Sequence, residues 1–220
     1  MPAGVEMPED VAEVLKASET GGALFWSLAE AKLALPPFPI ERALEYQGWN
    51  SGPLQSLLDR PRRVLVVLVR LGGFAVGIFE GDHLVASKVD APFVKGRNRA
   101  GGSSSNRYRQ RRENQESFLF DKASDTLRAV VEGYEHPPQH LVLGGDRMTL
   151  QAFEKRCPYL SRFRDIRMGR VLVGLPDPRL EVLRDTPRLF YASRVVTFQG
   201  LATGGEGFTA EAQRARRRGE

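Results

Sequence analysis

From Lys95 to Gln115 the chain reads KGRNRAGGSSSNRYRQRRENQ, a stretch that no fold can bury. It carries seven basic side chains (Lys95, Arg97, Arg99, Arg107, Arg109, Arg111 and Arg112) and meets no acid before Glu113. Its middle, Gly101-Gly102-Ser103-Ser104-Ser105, has no apolar side chain to draw it inward, and its glycines and serines give a permissive backbone with exposed donors. The flanking guanidinium groups match phosphate oxygens in charge and in fork geometry. The rest of the chain must therefore fold around an exposed cationic loop.

From Asn106 the pattern predicts a helix. Leu119, Ala123, Leu127, Val130, Val131 and Tyr134 recur at three- and four-residue steps, which gives one buried face. Ser105 or Asn106 suits the N-cap. The first two turns nevertheless hold Arg107, Arg109, Arg111 and Arg112, and cations there oppose the helix macrodipole by some tenths of a kcal/mol each. A local rule broken at this cost points to a partner for the arginines. The plainer reading, a solvated basic face on a structural helix, stays open. Tyr108 fits either a base-stacking ring or a partly buried helix residue.

The strands come before this loop. VLVVLVRL (64–71) is continuous and β-branched, as in a buried strand. Glycine turns then lead into FAVGIFE (74–80), where larger residues alternate with smaller ones, and HLVASKVD (83–90), which predicts an antiparallel three-stranded meander that runs straight into the basic loop. After the long helix, LVLGGD (141–146) reads as a strand. A helix over about 147–163, a strand RVLVGLP (170–176), a helix near 180–189 and a last strand ASRVVTF (192–198) complete the order. The expected class is α/β: a mixed sheet with helices packed on it, plus a small helical region. Residues 1–60 read as that helical region, with short helices at Ile40–Tyr46 and Leu54–Leu58 and with Trp26 and Trp49 as packing anchors. Residues 61–199 form the α/β domain, and 200–220 a flexible basic tail.

Composition sets limits. The chain has 220 residues, a net charge of +5, a pI near 9.6 and 41% hydrophobic residues, enough for one full core. The basic balance permits nucleic-acid binding. One cysteine, Cys157, excludes an internal disulfide framework and fits a reducing compartment. No apolar run reaches membrane-spanning length and the acidic start, MPAGVEMPEDVAEV, does not resemble a signal peptide, so a cytoplasmic protein without membrane partners is expected. Three histidines (His83, His136, His140) and one cysteine give no zinc-ligand spacing, and neither metal nor cofactor is expected. Gly144-Gly145-Asp146 lies between a strand and a helix, where a plain turn is the simpler reading than a phosphate site.

The order of elements, a basic GG loop leaving a meander and entering an arginine-headed helix, resembles the central domain of eukaryotic and archaeal class-1 peptide-chain release factors and Pelota. It is most similar to the bacterial branch of the release-factor-like peptidyl-tRNA hydrolases, whose eukaryotic member acts in ribosome quality control. The resemblance spans about residues 63 to 198 and rests chiefly on AGGSSSNRYRQRRENQ and HLVLGGDR. It implies a ribonuclease-H-like fold of the release-factor central-domain type. It also implies a large-subunit partner at the peptidyl-transferase centre, with peptidyl-tRNA as substrate. Gly101, Gly102, Ser103, Ser104, Ser105 and Asn106 would form the catalytic loop, and the seven basic residues would hold RNA.

One departure divides the functional expectation. The family's loop normally carries a glutamine at or shortly after the glycine pair, whereas this chain has Ser103, Ser104 and Ser105, and its nearest glutamines are Gln110 and Gln115. If backbone N–H groups stabilise the transition state, hydrolysis survives. If the glutamine side chain is required, the protein is a silent ribosome-binding factor of dormancy or stress. A nuclease is the weaker third reading, since no carboxylate set for a metal is apparent.

Overall fold

The computed structural model describes residues 7–26, 30–46, 50–92, 105–199 and 211–213. The chain divides into two compact units, residues 61–190 and residues 1–60 with 191–220.

The larger unit is built on strand β3 (Arg63–Arg70). Its run VLVVLV is buried throughout, because both faces of the sheet are covered. β3 pairs antiparallel with β4 (Gly73–Glu80), which pairs antiparallel with β5 (His83–Asp90), and this is the expected meander. On its other side β3 pairs parallel with β6 (His140–Gly145), and β6 pairs parallel with β7 (Arg167–Leu172). The five-stranded order is β5-β4-β3-β6-β7, a mixed sheet. Two helices cover one face: α3 (Ser105–Glu132) and α4 (Arg147–Arg156). Leu119, Ala123 and Leu127 of α3 and Leu150 and Phe153 of α4 share a core with Leu65, Val67, Phe74, Val76 and Ile78. The short helices α5 (Leu180–Arg184) and α6 (Pro187–Phe190) serve the other face, where Phe190 packs edge-on against Phe79 with ring centres 5.7 Å apart. Two-sided cover explains why Gly73 to Phe79 are all buried.

The expected helix over 147–163 breaks at Cys157, whose φ of −110° and ψ of 81° are not helical. Pro158 follows it. A proline disfavours helical backbone in the residue before it and lacks the N–H needed to continue the ladder. Pro158–Ile166 then runs as a 3₁₀ segment that buries Tyr159, Leu160 and Phe163.

The smaller unit departs from the expectation of helices through residues 1–60. Helices form at α1 (Glu9–Lys16) and α2 (Gly52–Asp59), but β1 (Ala23–Trp26) and β2 (Glu30–Leu35) are strands. β2 reads EAKLAL, good helix formers, yet it lies between β1 and β8 (Arg194–Gln199), and cross-strand pairing outweighs local propensity. Ile40–Tyr46 is irregular rather than helical. Glu41 to Tyr46 are exposed, and so short a helix does not persist without packing. β8, expected in the main sheet, therefore belongs to this unit. Within the tail expected to be flexible, Glu211–Gln213 forms β9 and pairs with Thr197 to Val195. Trp26 is 38% exposed, so it is not the buried anchor expected, and Trp49 lies outside the described residues.

Gly145 locks the β6–α4 junction. Its φ is +148°, and a Cβ there would sit 2.1 Å from the Val69 carbonyl oxygen. Gly174 also has positive φ, +71°, but open space around it. In urea denaturation Gly145→Ala should cost more than about 2 kcal/mol and Gly174→Ala only about 1 kcal/mol. Equal losses would contradict this packing.

Candidate nucleic-acid interface

α3 has 28 residues, hence a length of about 42 Å. Its C-terminal half is anchored: Leu119, Ala123 and Leu127 are fully buried. Its N-terminal half is not, and none of the described side chains from Arg107 to Phe118 is buried. The helix thus presents about 20 Å of solvated length before its first buried residue.

The predicted site residues divide at the start of this helix. Lys95, Arg97, Arg99, Gly101, Gly102, Ser103 and Ser104 lie outside the described residues. Ser105 and Asn106 fall in the first turn of α3, one step past the expected capping position. Arg107, Arg109 and Arg111 are exposed and Arg112 is half-buried. Arg109 Nε lies 3.8 Å from Glu113 Oε1, and Arg112 Nε 2.7 Å from Glu116 Oε1, both one turn along. The second pair is close, but its N–H is not aligned for a hydrogen bond. Helix pairs at this spacing are worth about 0.3–0.5 kcal/mol. Arg107 and Arg111 form no ion pair among the described residues. At about 100° per residue they lie within roughly 40° of each other, some 120–160° from the centre of the buried stripe. The two free guanidinium groups therefore share the side of α3 that faces away from its own sheet.

The other root of the loop is pinned to the same helix. β5 ends at Asp90, whose Oδ2 accepts from Lys122 Nζ on α3 at 2.5 Å and whose Oδ1 accepts from the Ala91 N–H at 2.8 Å. The Lys122 hydrogen bond is the main cause holding the Asp90 carboxyl below its ordinary pKa; burial opposes it and the Ala91 N–H adds to it. Lys122 also lies 5.9 Å from the centre of the Phe118 ring, which is 60% exposed.

His140 and Asp146 serve the fold. His140 is half-buried, and burial together with the Arg62 charge lowers its pKa to about 4, so it is neutral at pH 7. Asp146 caps α4, its Oδ1 accepting from the Thr149 N–H at 2.9 Å, which makes the GGD sequence a turn and cap. Among the described residues no group of three His, Cys, Asp or Glu side chains is placed to hold a metal. No described helix is long and apolar enough to cross a membrane. Sequence reasoning missed a second basic run, Lys155–Arg170, because its buried Leu160 and Phe163 drew attention to packing. Its signal was six basic residues against one acid.

A family model described as the Actinobacteria/chloroflexi VLRF1 release factor matches residues 62–196, well over half of the chain. No curated protein matches. Among solved structures, the archaeal translation termination factor aRF1 is similar at 16% identity and a TM-score of 0.39, over 74% of this chain and 49% of that one. A second, described as an archaeal protein, is similar at 15% identity and a TM-score of 0.32, over 80% of this chain and 50% of that one. The chain spans about half the length of these structures.

Lys122→Ala should move the Asp90 pKa up toward the ordinary carboxylate value in an NMR titration. The folded pKa is depressed, so the pair contributes stability above the unfolded value and loses it as pH falls through the folded one. With side chains 44% and 37% exposed, the loss at neutral pH should stay below about 1 kcal/mol. An unmoved Asp90 pKa would show that the contact is not made.

Proposed function

The chain belongs to the VLRF1 release factor family of Actinobacteria and Chloroflexi, and from that membership we propose that it binds the ribosomal large subunit and hydrolyses the ester of peptidyl-tRNA on stalled complexes. The observation that carries this reading is the pair of exposed, unpaired arginines, Arg107 and Arg111, on the solvated half of the helix that follows the GG-Ser loop. In this reading Gly101 to Asn106 enter the peptidyl-transferase centre. Lys95, Arg97, Arg99, Arg107, Arg109, Arg111 and Arg112 hold RNA phosphates around them.

The chemistry asked of the loop is modest. Water attacks the ester carbonyl, the bond to the ribose oxygen breaks, and the products are a peptide carboxylate and a free tRNA hydroxyl. Backbone N–H groups at Gly101 and Gly102 supply oxyanion stabilisation, and a serine hydroxyl orients the water. A covalent serine route is disfavoured, because the histidines nearest in sequence, His83 and His136, are far from Ser103–Ser105 and no base is at hand to activate a hydroxyl. The three serines also favour a second reading, a silent factor that binds the same site without hydrolysis.

Single-turnover release of labelled peptide from peptidyl-tRNA on purified large subunits separates the two. Hydrolysis predicts release above background. Substituting Gly101 and Gly102 together by alanine, which keeps the N–H groups but restricts the backbone that aims them, should lower it, by about a hundredfold if one donor is turned away from the oxyanion. Co-sedimentation without release would sink the hydrolase and leave the silent factor. Arg107→Ala with Arg111→Ala should weaken co-sedimentation and reduce its log–log salt slope by about 2. The melting temperature should not change, since neither side chain has an ion-pair partner among the described residues; a sharp drop would mark both as structural.

A further inference from the structure

Lys155–Arg170, KRCPYLSRFRDIRMGR, holds six basic residues and a single acid, Asp165. Three of the six are engaged. Arg156 donates to both Asp121 oxygens at 2.7 Å, Arg167 to both Glu154 oxygens at 2.9 Å, and Arg170 to the Leu189 carbonyl at 2.9 Å. Lys155, Arg162 and Arg164 are exposed and form no ion pair among the described residues. Arg128 of α3 joins them. Its guanidinium carbon lies 5.2 Å from the centre of the Tyr159 ring, and that of Arg162 lies 5.1 Å from the same ring. The two cations are therefore no more than about 10 Å apart, each positioned by cation–π attraction.

We propose that Arg128, Lys155, Arg162 and Arg164 form a second surface for the phosphate backbone of RNA. Tyr159 is only 8% exposed, so its ring is a wall that orders the guanidinium groups rather than a platform for a base. Ordering them in advance lowers the entropy lost on binding and leaves their N–H forks for phosphate oxygens. Asp125, Glu132 and Asp165 are nearby exposed acids that form no ion pair among the described residues, and the four cations still outnumber them. An acidic protein fits less well. Protein interfaces centre on buried apolar anchors, and none of the large exposed apolar residues falls within 155–170. Arg111 and Arg128 are 17 positions apart in the sequence, so this surface sits about 25 Å along α3 from the first. One helix thus presents two separate phosphate contacts.

The inference rests on the proposed function only in taking RNA as the partner, and its probe is a naked RNA hairpin, so each can fail alone. With the full chain, fluorescence anisotropy of a labelled hairpin across a salt series should show several-fold weaker binding for Arg128→Gln with Arg162→Gln. The log–log slope should fall by about 2. Arg164→Gln, which breaks no described ion pair or ring contact, should lower the slope by about 1 with no change in melting temperature. Hairpin binding unchanged in affinity and slope in both variants would overturn the proposal. So would tighter binding of the native chain to a poly-glutamate peptide than to the hairpin. Loss of peptide release in the Gly101/Gly102 variant with hairpin binding intact would bear on the catalytic loop alone.

Discussion

The structure depends on how α3 is divided by burial. Leu119, Ala123 and Leu127 pack into the core with Phe74, Val76 and Ile78 of β4, and full burial of Leu-, Val- or Phe-sized side chains is worth about 1.5–3 kcal/mol each. The half before Leu119 has no such burial, and its Phe118 is 60% exposed. It continues as helix because the inner half is already formed and each further residue adds one hydrogen bond without a new nucleus. The same strand that holds the helix leads through β5 to the loop, and Asp90 with Lys122 ties the end of β5 back to α3.

Charge then distinguishes the arginines on this solvated half. Arg109 and Arg112 have acids one turn on, whereas Arg107 and Arg111 have none and share a side away from the sheet. Positive charge in the first turns costs the helix energy that a phosphate partner would return. The Tyr159 surface follows similar physics with a different support. There an aromatic ring rather than helix spacing keeps guanidinium groups in place, while neighbouring arginines are neutralised by Asp121 and Glu154.

Much of this was legible in the sequence. VLVVLV has the pattern of a buried strand, and the glycine turns after it pointed to the meander. The three-and-four spacing from Leu119 to Leu127 gave the buried stripe of α3. EAKLAL misled because its local preference is helical and its strand state comes from β8, more than 150 residues away. Pro158 was readable as a helix breaker but was overridden by the apolar spacing through Phe163. At the site, the exposed character of Arg107 and Arg111 followed from composition, and the Arg109–Glu113 and Arg112–Glu116 spacings could have shown which cations are engaged. The Arg128–Tyr159–Arg162 cluster could not have been read, since it joins α3 to a 3₁₀ segment that the broken helix created.

These elements give an account in which an anchored helix holds a cationic half, and the GG-Ser loop that precedes it, toward an RNA-walled site. Photo-cross-linking from position 104, with Ser104 replaced by a photoreactive residue and the protein bound to large subunits, tests it most directly. The account predicts cross-links to ribosomal RNA of the peptidyl-transferase centre. Cross-links confined to the protein itself, or to proteins on the subunit exterior, would contradict it.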